Sequence, residues 1–234
     1  MGNAMRIVSF VLFLMPFLIL ANCQAEGIQI GRTRVIYNAE SKETALSVVN
    51  SERELPWLVQ SWTDTGDGKT RGPFIVTPPL FRLDPQKEQS LRITWNGVHL
   101  PEDRESLFYM NVRTIPAIAK DNKQINTLRL IYKTRIKLFW RPEGLSGSPE
   151  ETCEHLKFVL AGNQLHIIND GLFYSVFDTL YLGNNLIKKA DMIAPKSTIS
   201  LPVNAEFTGK DVSWRCITDY GNASAKHSSI IKQE

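Results

Sequence analysis

Cysteine is scarce in this chain, and what there is supports neither metal nor redox chemistry. Of the 3 cysteines, Cys23 ends an N-terminal apolar stretch, while Cys153 and Cys216 lie far apart and form no Cys-x-x-Cys pair. That spacing excludes a zinc ribbon or a dithiol active site. Histidine is as sparse: His99, His155, His166 and His227 are scattered, none at ligand spacing from another His, Cys or carboxylate. His166 alternates within a strand-like stretch and reads as a surface or satisfied histidine. Nucleophile elbows, phosphate loops and dinucleotide fingerprints are absent. Excess charge of one sign is missing too. With 27 basic and 24 acidic residues the formal charge is +3, which indicates neither a nucleic acid nor an anionic membrane as partner. Beyond the first two dozen residues no long apolar run follows, so stable membrane insertion is not expected. Asp103 and Glu105 flank Arg104 and read as a salt-bridge cluster. The chain reads as a non-enzyme without cofactor or metal. A carboxylate pair drawn from distant segments leaves no spacing signature, so a glycan hydrolase stays as a weaker alternative.

What is present begins with an export signal. Arg6, the apolar run Ile7 to Ala21 and the small-residue site Cys23-Gln24-Ala25 make a signal peptide over residues 1–25, cleaved after Ala25. Leu20-Ala21-Asn22-Cys23 is a poor lipoprotein box, because Asn22 stands where a small residue is needed. Export permits a disulfide, and the even count left after cleavage favours a Cys153–Cys216 bridge over two separate buried thiols.

The rest reads as short strands separated by turn signals, the pattern of β-sandwiches. Strands are expected at 28–37, 44–49, 55–62, 74–76, 80–83, 89–95 and 107–113. A second set follows at 156–160, 165–168, 174–182, 186–192, 197–203, 212–218 and 228–231. Between the sets, Glu143 to Pro149 shifts to Gly, Ser and Pro, a linker composition. The expectation is an all-β chain of two tandem sandwiches, 26–142 and 150–234, joined by 143–149.

One stretch organises this reading: Asn126 to Pro142, NTLRLIYKTRIKLFWRP. It has no Gly or Pro before its end and is rich in aliphatic, β-branched and aromatic side chains, so it reads as one long strand. Leu128, Leu130 and Tyr132 share one face; Arg129, Ile131, Lys133, Arg135 and Lys137 share the other. The pattern fits either a strand filling its own core or an edge strand offering its apolar row to another molecule.

Gly31 to Tyr37, Thr77 to Leu83, Asp103 to Pro116, Arg135 to Pro142 and Thr218 to Gly221 together resemble segments of the periplasmic chaperones of the chaperone–usher pilus pathway of Gram-negative bacteria. Gly31-Arg32-Thr33-Arg34-Val35-Ile36-Tyr37 is similar to their first strand, and Thr77-Pro78-Pro79-Leu80-Phe81-Arg82-Leu83 to their proline-containing segment. The stretch DRESLFYMNVRTIP, residues 103–116, resembles the family signature. Residues 135–142 resemble the end of the long seventh strand, and Thr218-Asp219-Tyr220-Gly221 a motif of the second domain. The resemblance implies two immunoglobulin-like domains at an angle, with a cleft between them. It implies that Arg34 and Lys137 anchor the C-terminal carboxylate of a pilin subunit. It implies that Leu128, Leu130 and Tyr132 form a donor strand, and that Arg92, Glu105, Arg141 and Asp219 form an interdomain charge network. The expected partners are pilin subunits and an outer-membrane usher, in the periplasm.

Departures from the family pattern are Tyr132, where an aliphatic residue is usual, and Asn169-Asp170-Gly171-Leu172, which replaces a proline-containing stretch. The short cysteine-free link from Thr114 to Thr127 resembles the short-loop branch, whose members typically serve rod-like pili. The rival from another class is an exported adhesin or receptor-like binding module, which would copurify with a glycan or host protein instead of pilins.

Overall fold

A computed structural model describes residues 27–117, 130–203 and 211–233. The signal segment and Leu128 lie outside the described residues. Among the described residues the first domain has nine strands: β1 (Ile28–Ile30), β2 (Arg34–Asn38), β3 (Thr44–Asn50), β4 (Trp57–Asp64), β5 (Phe74–Thr77), β6 (Leu80–Leu83), β7 (Glu88–Trp95), β8 (Ser106–Pro116) and β9 (Tyr132–Arg141). One sheet runs β1-β3-β7-β5, and the other runs β2-β9-β8-β4-β6. The expected first strand is therefore two. It changes sheets across Gly31-Arg32-Thr33, and its apolar parity flips there, from Ile28 and Ile30 to Val35 and Tyr37.

The core between these sheets is built from residues at period two. Leu46 and Val48 on β3, Leu91 and Ile93 on β7, and Met110 and Val112 on β8 are all buried. Such side chains contribute roughly 1.5–3 kcal/mol each on full burial. Strand β9 feeds the same core with Ile136, Leu138 and Trp140. These lie in the same row as Leu130 and Tyr132, which are 51% and 54% exposed. One apolar row thus starts inside the domain and runs out past its end. The strand is an edge only in part. Lys137 to Arg141 pair in parallel with β2, whereas among the described residues Tyr132 to Ile136 pair only with β8.

The second domain opens with a helix, at the end of the expected linker and before the first expected strand, where no regular element was expected. Helix α1 (Pro149–Glu154) is capped by Ser148, whose Oγ accepts the Glu151 N–H at 3.1 Å, with Pro149 in the first turn. Strands β10 (Lys157–Ala161), β11 (Gln164–Asn169), β12 (Ser175–Leu182), β13 (Asn185–Leu186), β14 (Met192–Ile193), β15 (Ser197–Pro202), β16 (Asp211–Cys216), β17 (His227–Ile230) and β18 (Lys232–Gln233) follow. They form the sheets β15-β11-β10-β18 and β13-β12-β16-β17, with β14 also on β12. The expected strand over 186–192 is instead two short pieces, both pairing with β12. Gly183 turns the hairpin between β12 and β13 at φ 57°, a conformation that glycine adopts without steric penalty.

Cys153 on α1 and Cys216 on β16 form a disulfide across a separation of 63 residues, and both are buried in the second core. In the chain-entropy view such a loop adds about 4 kcal/mol. In place of the proline-containing stretch, the Asn169 side chain holds the turn. Its Nδ2 donates to the carbonyls of Phe173 and Ala194, and its Oδ1 accepts the Gly171 N–H.

Candidate functional site

The register between β2 and β9 sets Arg34 opposite Lys137. Partners on adjacent parallel strands project to the same side, about 5 Å apart. The two cations are therefore neighbours on the face that meets the second domain. Arg34 is buried at 7% exposure; its Nη1 donates to the Ile217 carbonyl at 3.0 Å, and its guanidinium lies 6.0 Å from the Phe139 ring. Its Nε is buried without an acceptor among the described residues. Burial lowers the Arg34 pKa, against the opposing pull of Asp219 and Glu105. Lys137 Nζ donates to Asp191 Oδ1 at 2.9 Å.

Beside this pair stands a charge cluster that joins the domains. Arg141 at the end of β9 donates through Nε to Glu105 at 2.7 Å. Its Nη1 and Nη2 donate to the two oxygens of Asp219 at 2.6 and 2.7 Å. The fork against Asp219 is bidentate, the geometry in which guanidinium and carboxylate match best. The other oxygen of Glu105 accepts the Tyr174 N–H at 2.8 Å, and its own N–H donates to the Leu172 carbonyl at 2.9 Å. Burial pushes the Glu105 carboxyl above its ordinary value, and Arg141 and the Tyr174 N–H pull against that rise. Burial works to lower the Arg141 pKa, but hydrogen bonds to Asp219 and the field of Glu105 outweigh it and hold the guanidinium charged.

Arg92 does not belong to this cluster. It pairs with Glu43 at 2.9 Å. Its neighbours Leu91 and Ile93 point into the core, so Arg92 projects from the opposite sheet, away from the second domain. Glu105 also departs from the expected triplet: Arg104 bonds Asp103, while Glu105 turns inward to Arg141.

Several contacts at the junction left no mark in the sequence. Asp191, the Ile217 carbonyl and the main chain at 172–174 enter from loops with no charge pattern of their own. Lys196 reaches Asp103 at 2.9 Å. Phe139 does interrupt the basic row of β9, and that was a usable signal. It is 3% exposed and packs on Tyr174 with ring centroids 5.7 Å apart.

Further along the same face, Arg135 bonds buried Asp64 at 2.6 Å and lies over the Tyr109 ring at 3.7 Å. On the opposite, apolar face of β9, Tyr132 faces Trp57 with centroids 6.5 Å apart. The described residues hold no group of His, Cys, Asp and Glu suited to a metal, and no helix among them is long and apolar enough to cross a membrane.

These features define a two-domain immunoglobulin-like protein with a charge-locked junction, a cation pair and, beside it, a strand edge that no described residue covers. The chain belongs to the family of pilus assembly chaperones. Residues 27–146 match the family described as "Pili and flagellar-assembly chaperone, PapD N-terminal domain", and residues 151–228 match "Pili assembly chaperone PapD, C-terminal domain". It is 38% identical over 225 residues to "Chaperone protein FimC" of Escherichia coli K12, covering 95% of this chain and 91% of that one. It is also 38% identical over 224 residues to "Chaperone protein LpfB" of Salmonella typhimurium, covering 94% and 96%. Among solved structures it is similar to the Salmonella enterica SafB chaperone in complex with SafA pilin. The TM-score there is 0.80 at 31% identity, over 89% of this chain and 98% of that one. The E. coli chaperone DraB superposes with a TM-score of 0.78 at 37% identity, over 89% and 98%.

Proposed function

We propose that this chain captures fimbrial subunits in the periplasm by lending them a strand and then delivers them to an outer-membrane usher. The observation that carries this reading is the continuity of β9. A half-exposed apolar row and a backbone edge over Tyr132 to Ile136 that is unpaired among the described residues lead directly to Arg34 and Lys137. A subunit that lacks a strand has an open groove and two unpaired edges. Main-chain bonds from β9 would satisfy one of those edges, and Leu128, Leu130 and Tyr132 would fill the groove. Arg34 and Lys137 would hold the subunit's terminal carboxylate and so fix the register. Polar pairing along an edge is sequence-tolerant, whereas a fixed end defines which side chain meets which pocket.

Three finer readings go with it. The signal segment is removed after Ala25, in keeping with a family match that begins at residue 27. The connection from β8 to β9 contains no cysteine, which favours the short-loop branch and rod-like pili. The ring of Tyr132, in place of an aliphatic side chain, narrows the set of subunits accepted.

The test is substitution of the anchors. Arg34→Ala and Lys137→Ala are each expected to leave the chain folded and to abolish recovery of a chaperone–subunit complex on coexpression. Loss of one partner of a sheltered charge pair costs about 2–5 kcal/mol. Normal recovery from either variant would overturn the reading.

A further inference from the structure

We propose that Asp191 is an internal competitor for the subunit's carboxylate: in the free chain it occupies the Lys137 ammonium, and an arriving subunit must displace it. This rests on the reading of Arg34 and Lys137 as the carboxylate anchor.

The geometry is that of a stand-in ligand. Asp191 belongs to the second domain and reaches across the junction to Lys137 at 2.9 Å. The Lys137 side chain is only 20% exposed, whereas that of Asp191 is 72% exposed. The carboxylate therefore approaches the ammonium from the solvent side, as a chain end would. Its backbone is fixed. The Asp191 carbonyl accepts the Phe177 N–H at 2.9 Å, and the next residue, Met192, opposes Val176 on β12. The side chain can thus leave by changing rotamer while the strand stays in place.

Arg34 is in a different state. It is hydrogen-bonded to a neutral carbonyl, and its Nε has no acceptor among the described residues. The carboxylates whose field reaches it, Glu105 and Asp219, are already taken up by Arg141. One anchor thus has donor capacity to spare while the other is occupied. Exchanging Asp191 for another carboxylate leaves the charge balance at Lys137 unchanged. The entrant gains only where its carboxylate also reaches Arg34. Asp191 consequently weakens the hold on a bound subunit and gives it a ready replacement on release.

The experiment titrates a synthetic peptide of a fimbrial subunit's C-terminal strand into the full mature chain by calorimetry. The peptide is used as the free acid and as the C-terminal amide, against the unaltered chain, Asp191→Ala, Asp191→Glu and Lys137→Ala. Asp191→Ala is expected to bind the acid peptide roughly two- to five-fold tighter, the range of an exposed ion pair. Binding of the amide should not change, and Asp191→Glu should restore the original affinity. Unchanged or weaker acid binding by Asp191→Ala, while Lys137→Ala still loses the acid peptide, overturns the competitor and leaves the anchor standing. Equal tightening of both peptides also overturns it, because the effect would then owe nothing to the carboxylate. If Lys137→Ala binds the acid peptide normally, the anchor reading itself fails.

Discussion

Replacing Arg141 with alanine is expected to destabilise the chain by about 3–5 kcal/mol and to abolish subunit capture. The side chain neutralises two carboxylates at once, and one of them, Glu105, is 1% exposed at its side chain. Without Arg141, Glu105 is a buried anion whose side chain keeps one hydrogen bond among the described residues, from the Tyr174 N–H, and the weaker field of Arg34. The cheapest escape is protonation. Burial already raises the Glu105 pKa, and loss of the guanidinium removes a group that pulls it down. A carboxyl whose folded pKa lies above its unfolded value takes up a proton on folding. Stability then falls as pH rises from the unfolded pKa through the folded one. The variant should therefore lose stability with rising pH over a window that extends further upward than in the unaltered chain. Thermal melts across pH check this. A melting temperature within a degree or two of the unaltered chain at neutral pH would show that the cluster does not hold the domains.

The second large effect is expected from Leu130→Glu, and it should separate stability from function. Leu130 is 51% exposed in the free chain, so a charge there should shift the chain's own stability by no more than about 0.5 kcal/mol. In a shared core with a subunit the same change removes roughly 1.5–3 kcal/mol of apolar burial and adds the larger penalty of an unpaired buried charge. Coexpressed subunit should aggregate or be degraded. If instead the chain itself collapses, Leu130 belongs to its private core.

Much of the fold was legible because alternation reports burial directly. Leu46 and Val48, and likewise Leu91 and Ile93, are buried at period two as the pattern requires. What alternation does not report is which sheet a strand joins. The switch at Gly31 showed only as a parity flip that a continuous strand from 28 to 37 overlooked. Helix α1 was legible and missed: Ser148, Pro149 and Glu151 carry the N-cap, first-turn proline and third-position glutamate of a capped start. At the site, Glu105, Arg141 and Asp219 come together, but Arg92 faces the other way. A family motif fixes the position of a residue in the chain, whereas the pairing depends on which sheet face it occupies. Asp191 was illegible, since a lone aspartate after Lys188-Lys189-Ala190 carries no sign of a partner 54 residues away. The edge character of β9 was half legible. The apolar row marked it, but its parallel pairing with β2 beyond Lys137 is a long-range contact without a local signal.

The central claim is that β9 donates its backbone as well as its side chains. Amide hydrogen exchange over residues 131–136, compared between the free chain and its complex with a fimbrial subunit, tests it most directly. In the free chain the amides on the side of this segment away from β8 have no strand partner among the described residues and should exchange fast. In the complex they should become as protected as those paired with β8. An intact complex in which the same amides still exchange at the free rate would show that the subunit is held elsewhere and that no strand is lent.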